Sequence, residues 1–375
     1  MSSELANLYN DTRAAGKVIV VALGFLGDSI HLIPALWEIK RNYPGAKLHV
    51  ATTPLGGEAL RLLPCVDRIW PVARNPRQSN WRQNWRTVRA LRREHFDLAI
   101  NFSGADRPTI WTALIGAKHQ AAHTGPRMHF WSNWLVQHWV PRQPPGMPVA
   151  EQHLNVLAAC GLNLAARRWD FTLPEAARSK AESLVPKGAI HLSVSASHPL
   201  KEWPLENWIA LAQRLLAGNP EWRLLATGSP QPREQARLQS LARAVGNERL
   251  ITCSGLSIAE LAAVLQRCRL HVGADSGVLH LAVAVGLPTI SLFRDYHDAS
   301  AWTPTGTRHR VFRMPCVCVN QRHQPCVPAQ RADCLARLEV NAIEPAVNEL
   351  LGTTNDPALA PSLDAPAKEL LPWVK

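Results

Sequence analysis

The chain reads as an α/β protein of two Rossmann-like domains, each a parallel sheet covered by helices. Short apolar runs rich in β-formers alternate with longer segments of helical period, the order that right-handed βαβ crossovers turn into a parallel sheet. The alternation occurs twice, over residues 17–102 and again over 189–293. A length of 375 residues also exceeds what one hydrophobic core usually supports, which favours two domains of roughly 150 to 180 residues.

In the first half, the apolar run Lys17–Leu23 predicts a strand, followed by a turn over Gly24–Asp28 and a helix over Pro34–Asn42. Strands at Leu48–Thr52, Arg68–Val72 and Asp97–Phe102 alternate with helices at Gly57–Leu63 and Trp81–His95. In the second half, Ala189–Val194 is a strand, and Trp203-Pro204 opens a helix where a missing N–H costs little. Arg223–Thr227 is a strand ending at Gly228, and Arg233–Val245 is helical. Ser257 and Glu260 form a capping box at the head of a helix that follows the strand Leu250–Cys253. The strand Arg269–Val272, a turn, the helix-like Leu281–Gly286 and the strand Thr289–Phe293 complete the scheme. The expected division is a first domain over 1–180, a second over 181–352 and a Pro/Ala-rich tail over 353–375, with the join in the stretch Leu173–Gly188.

Composition excludes several classes. With 46% hydrophobic and 19% charged residues the chain is expected to fold rather than remain disordered. The N-terminal stretch lacks the apolar core of a signal peptide, and no run gives ~18 uninterrupted apolar residues, so the expectation is a cytoplasmic protein that does not span a membrane. A net charge of +12 favours phosphorylated or acidic partners. Zinc-finger spacing, a basic heptad region and RNP aromatics are all missing from the sequence, which argues against nucleic acid and leaves an anionic glycolipid or membrane surface. Fourteen tryptophans stand against three tyrosines, and arginines interleave them in Trp81-Arg82-Gln83-Asn84-Trp85-Arg86. Such a mixture suits a wet apolar interface, although ordinary packing accounts for it as well.

Gly273-Ala274-Asp275-Ser276-Gly277-Val278-Leu279-His280 is the most informative stretch. A strand that ends in small residues and turns directly into a helix leaves N–H groups and the positive dipole end pointing outward, a ready anion site. Gly277 permits close approach, Ser276 either caps the helix or offers its hydroxyl, and His280 can donate a ring N–H; an ordinary Asp-Ser cap is the bland alternative. At the mouth of the N-terminal sheet, Leu23-Gly24-Phe25-Leu26-Gly27-Asp28-Ser29-Ile30-His31 puts Asp28 and His31 on one face of a helical turn. Asp28 there is either a proton acceptor for an attacking hydroxyl or a plain helix cap. Ser195 and Ser197, followed by Lys201, supply hydroxyls and a point charge suited to a diphosphate. The Thr227-Gly228-Ser229-Pro230 turn could lie against a nucleoside.

Together these residues resemble the glycosyltransferase family 9 enzymes, the ADP-heptose:lipopolysaccharide heptosyltransferases, over nearly all of the first 295 residues. Gly27-Asp28-Ser29-Ile30-His31-Leu32-Ile33-Pro34-Ala35-Leu36 looks like the family's Gly-Asp-x-x-His-x-x-Pro-Ala-Leu motif, and Asp275-Ser276-Gly277-Val278-Leu279-His280 like its Asp-[Ser/Thr]-Gly-x-x-His motif. Lys201-Glu202-Trp203-Pro204 matches its Lys-x-Trp-Pro. The resemblance implies a GT-B fold, with the two domains facing across a cleft, and inverting, metal-independent sugar transfer. It implies Asp28 as the base, with Gly27 and His31 on the acceptor side. Ser195, Ser197, Lys201, Gly228, Asp275, Ser276, Gly277 and His280 are implied to bind the donor and its phosphates, Asp275 as an orienting acceptor. The implied partners are a nucleotide-diphosphate sugar, ADP-heptose by resemblance, and a lipopolysaccharide-core or protein acceptor, with peripheral contact at the inner face of the cytoplasmic membrane. Members of the family often carry a glutamate after the Thr-Gly turn that reaches the ribose; here Ser229, Pro230 and Gln231 intervene and the nearest acid is Glu234.

Cys316, Cys318, Cys326 and Cys334 cluster near the C-terminus. In a cytoplasmic protein they are reduced thiols or ligands to a structural zinc or iron, and some relatives carry cysteine-ligated iron there. Two other function classes stay in view. A nucleotide-dependent oxidoreductase fits the fold class, but no G-x-G-x-x-G follows either opening strand. A non-catalytic module binding an anionic glycolipid is favoured by the charge alone.

Overall fold

The computed structural model describes residues 3–73, 81–125, 129–165, 168–296, 299–318 and 326–353. They form two compact units, Met1–Thr172 and Leu173–Lys375. The tail expected beyond residue 353 lies outside the described residues.

The first unit carries β1 (Lys17–Ala22), β2 (Lys47–Thr52), β3 (Arg68–Pro71), β4 (Leu98–Asn101), β5 (His119–His123) and β6 (His138–Val140). Its helices are α1 (Ser3–Thr12), α2 (Leu26–His31), α3 (Ile33–Asn42), α4 (Pro54–Leu60), α5 (Trp81–Arg93), α6 (Asp106–Ile115) and α7 (Val149–Ala159). All strands are parallel, in the order β3-β2-β1-β4-β5-β6. The central strands are near-continuous apolar runs, as Val18–Val21 and Leu98–Ile100 show, because helices cover both faces of a parallel sheet. After β1 the chain leads to β2 on one side, while β4 flanks β1 on the other. The crevice outside the end of β1 is therefore the topological switch point, where open α/β sheets bind ligands.

The second unit repeats this plan with β7 (Ala189–Ser193), β8 (Leu224–Gly228), β9 (Leu250–Ser254), β10 (Cys268–Ala274), β11 (Thr289–Asp295) and β12 (His309–Pro315). Its helices are α8 (Glu175–Leu184), α9 (Leu205–Gly218), α10 (Pro232–Val245), α11 (Ile258–Arg267), α12 (Gly277–Ala284), α13 (Cys326–Ala329), α14 (Asp333–Ala336) and α15 (Val340–Thr353). The order β12-β11-β10-β7-β8-β9 is the same winding, and its switch point lies between β7 and β10. Trp203 and Trp208 anchor the core edge-to-face, with centroids 5.1 Å apart, and the Trp203 indole donates to the Leu338 carbonyl at 2.9 Å.

The capping box at α11 forms as expected: Ser257 N–H donates to Glu260 at 2.8 Å and Glu260 N–H to Ser257 Oγ at 3.3 Å. The domain boundary shifts. Helix α8, assigned from sequence largely to the first domain, belongs to the second. It packs on α11, Lys180 pairs with Glu260 at 2.7 Å, and Arg267 reaches Glu182 at 3.2 Å and the Val185 carbonyl at 3.0 Å. The join is thus at Thr172–Leu173.

Candidate active site

At the first switch point, the chain leaves β1 through Gly24 and enters α2 at Phe25, so Asp28 falls in the first helical turn. Its Oδ2 accepts the Phe25 N–H at 2.7 Å, satisfying a donor that the helix itself leaves unpaired. A Cβ on residue 24 would overlap the Asp28 carboxyl, so only glycine leaves room for this arrangement. Asp28 is partly exposed and Phe25 beside it is 53% exposed. The capping reading of Asp28 is borne out, its Oδ2 holding the Phe25 N–H at the head of α2.

Gly27 and His31 both lie within α2. Both are buried, and the His31 ring stands edge-on to Trp169 at 6.3 Å while its carbonyl faces His153 Nδ1 at 3.2 Å. The shared helical face that sequence spacing predicts is interrupted by tertiary packing, which encloses the histidine behind α2. His31 thus packs behind the turn that carries Asp28.

At the second switch point the expected residues gather on adjacent strand ends. The loop after β7 brings Lys201 Nζ to 2.6 Å from Asp275 Oδ2, on the turn after β10. Burial alone would lower the lysine pKa, but the Asp275 carboxylate outweighs it and the ammonium is held above its ordinary value. Ser276 occupies the N-cap of α12 without a side-chain capping bond. Its hydroxyl and that of Ser195 are both buried and have no hydrogen-bond partner among the described residues. Buried polar atoms left in this way mark a place where a ligand or water completes the bonding. His280 lies one turn into α12, its Nε2 3.9 Å from Asp275 Oδ1 and its ring 5.6 Å from Trp302. Burial pushes the imidazole down to about 4, so it is neutral near pH 7. Ser197 is exposed on the same loop, and Gly228 ends β8. Glu234, a helical turn further on, folds back to accept the Ser229 N–H at 2.9 Å, which brings the nearest acid to the turn despite the five residues between Gly228 and Glu234.

Sequence reasoning missed the frame behind these residues. Glu202 is 8% exposed and accepts the Ala196 N–H at 2.9 Å, while Arg233 pairs with it and donates to the Ala196 carbonyl at 2.7 Å. Arg237 ties the Val194 and Trp203 carbonyls at 3.0 and 3.1 Å. Beneath the strand ends, His191 Nδ1 lies 2.8 Å from His271 Nδ1 and His191 Nε2 2.8 Å from Thr227 Oγ1, linking β7, β8 and β10. Gly273 is required there because a Cβ would sit 2.5 Å from His271 Nε2. The only signal available in sequence was a polar residue within an apolar strand run.

The four clustered thiols are all buried. Cys316 Sγ is 3.7 Å from Cys318 Sγ, and that sulfur is 3.8 Å from Cys326 Sγ. These spacings would suit thiolates around one zinc, yet no group of three or more His, Cys, Asp or Glu is gathered as a metal-holding set among the described residues. Arg294 Nη2 donates to Cys316 Sγ at 3.3 Å and Nη1 to the Leu200 carbonyl at 3.1 Å, linking the thiols to the residue before Lys201.

Two doubly wound domains, one with a partly exposed carboxylate at its switch point and one with a lysine, two buried hydroxyls and a helix N-terminus, are the architecture of the GT-B glycosyltransferases. The comparisons agree. The family model described as glycosyltransferase family 9 (heptosyltransferase) matches residues 84–331, and the chain belongs to that family. It is 29% identical over 303 residues to lipopolysaccharide heptosyltransferase 1 of Pseudomonas aeruginosa, covering 74% of this chain and 78% of that protein. A family 9 glycosyltransferase structure from Veillonella parvula superposes with a TM-score of 0.77 at 18% identity, over 90% of this chain and 98% of that one. The E. coli heptosyltransferase WaaC with ADP-2-deoxy-2-fluoro heptose gives 0.68 at 19% identity, over 89% and 99%. The chain is therefore an enzyme that transfers sugar. No helix of the described residues is long and apolar enough to cross a membrane.

Proposed function

We propose that the protein transfers a heptose from ADP-heptose to a hydroxyl of a lipopolysaccharide-core acceptor at the inner face of the cytoplasmic membrane, with inversion and without a catalytic metal. The observation that carries the reading is the second switch point: a lysine held as ammonium by Asp275, beside two buried hydroxyls without partners. In this mechanism Asp28 takes the proton of the acceptor hydroxyl, and the oxygen forms a bond to the anomeric carbon from the face opposite the leaving group. The bond from that carbon to the diphosphate oxygen breaks, and the electron pair leaves with ADP. Lys201, the hydroxyls of Ser195, Ser197 and Ser276, the N–H groups at the start of α12 and neutral His280 receive the developing charge. Each such donor is worth roughly 2 to 4 kcal/mol of barrier when preorganised. The turn at Gly228, with Glu234 folded onto it, takes the nucleoside. Asp275 orients Lys201 and does not act as a second base.

The relatives' names support heptose and a lipopolysaccharide acceptor, and the complex of WaaC with an ADP-heptose analogue supports the donor. Incubation with ADP-heptose and an isolated core acceptor should yield a product of inverted anomeric configuration by NMR and one ADP per turnover. Transfer from UDP- or GDP-sugars in preference, or onto protein alone, would overturn this choice of substrates. The thiol row is proposed to act structurally, packing behind Arg294 without a metal. Elemental analysis of active protein should find less than about a tenth of an equivalent of zinc or iron; a full equivalent lost on chelation together with the fold would replace thiol packing by a metal cage.

A further inference from the structure

We propose that α5 and the cavity behind it form a docking surface for an anionic lipid bilayer. The cavity, of about 440 Å³, is lined by Trp81, Asn84, Trp85 and Val88 of α5 and by Trp111 and Leu114 of α6: five apolar side chains and one amide. Trp81 is 71% and Trp85 47% exposed. Val88 and Leu91 are buried and fix the helix to the unit, so the indoles are presented by a packed element. A stable soluble domain rarely leaves two indoles beside an open apolar cavity unless something covers them.

The charge pattern identifies what covers them. Arg82, Arg86, Arg89 and Arg93 recur at spacings of four, three and four, which puts them on one face of α5, and all four are exposed. Helix α5 contains no Asp or Glu, and the acid that follows it, Glu94, is engaged by Lys17 and Arg68 at 2.8 Å each. The Arg82 and Arg89 guanidinium carbons lie 5.5 and 5.6 Å from the Trp81 and Trp85 rings, so cation and indole are presented side by side. Helix α6 packs against α5 and also against the 3₁₀ turn Phe130–Trp134, adding exposed Ile110 and the 82% exposed Trp134. An amphipathic helix with arginines on its polar face and tryptophans on the other suits the plane between headgroups and acyl chains. The arginines meet lipid phosphates and the cavity takes hydrocarbon. Exposed indoles beside arginines also stack the bases of single-stranded nucleic acid, so that partner is the competing outcome of the test, while the apolar cavity behind them favours hydrocarbon. The biological purpose rests on the lipid-acceptor reading above, whereas the binding itself does not.

The test therefore uses vesicles that contain no acceptor glycolipid. In cosedimentation, the full chain should bind phosphatidylcholine vesicles containing phosphatidylglycerol and bind pure phosphatidylcholine at least about tenfold more weakly. Reversing Arg82, Arg86 and Arg89 to Glu should weaken binding at least about tenfold, and exchanging them for Gln should give an intermediate loss. Trp81→Ser with Trp85→Ser should remove the binding that survives at high salt. Brominated acyl chains should quench tryptophan emission in the parent and not in the double variant. Retained donor-induced thermal stabilisation shows that each variant is folded. Binding unchanged by both sets of substitutions, displacement by inorganic phosphate alone, or tighter binding of single-stranded nucleic acid through the same residues would overturn the proposal. If vesicles bind but no lipid acceptor is glycosylated, the surface stands and the acceptor assignment falls.

Discussion

The two units share one winding, with the strand that opens each sheet flanked by the second and fourth strands, yet they arm the same position in opposite ways. In the first, the switch point presents a carboxylate held by one backbone N–H over a glycine. In the second it presents an ammonium, buried hydroxyls and the start of a helix. The scaffold decides where a ligand meets the sheet, and the residues at the strand ends, after β1 in the first unit and after β7 and β10 in the second, decide what chemistry it meets there.

This contrast can be broken most directly at Asp28. If the first switch point supplies the base, Asp28→Asn should reduce kcat by about 10² to 10⁴ while leaving the affinity for ADP nearly unchanged in calorimetry. Wild-type turnover would remove the division of labour. Lys201→Ala should show the complementary pattern, a loss of about 10² to 10³ in kcat together with weaker ADP binding. It also leaves Asp275 buried without its cation, so ADP affinity in Asp275→Asn separates loss of positioning from loss of charge. Unimpaired ADP binding in Lys201→Ala would place the diphosphate elsewhere.

The smallest effect is on stability. In the second unit, burial holds His191 at about 3, His280 at about 4, His309 at about 3 and His271 well below its ordinary value; in the first, His153 sits at about 4, and burial also lowers His49 and His123. Each ring binds fewer protons folded than unfolded, so stability is intact above about pH 6.5 and falls as the pH drops from there toward 4. Hydrogen exchange read by mass spectrometry between pH 7 and 5 should show β7 and β10 of the second unit losing protection before β1 and β4 of the first. The reverse order would mean that these histidines do not control acid sensitivity.

How much of this was readable beforehand differs by element. Strands β1, β7 and β10 were visible as apolar runs because both faces of a parallel sheet are covered, and the capping box at α11 because its bonds are local. Strands β5 and β6, rich in His, Gln, Trp and Ala, carry no such pattern and are strands only because β4 presents an edge to pair with. Lys201 and Asp275 were each legible by motif, but not their contact across 74 positions. His31 shows the reverse: helical spacing placed it beside Asp28, and packing against Trp169 enclosed it.

Sequence alone determined the class of fold, the two glycine-bearing strand-to-helix turns and the basic, tryptophan-bearing helix, since each rests on hydrogen bonding or periodicity within a few consecutive residues. Tertiary structure decided which of those residues are buried, where the units divide, and that Glu202, Arg233 and Arg237 brace the loop leading to Lys201. Those outcomes depend on desolvation and charge pairing between segments far apart in the chain, which no local pattern encodes.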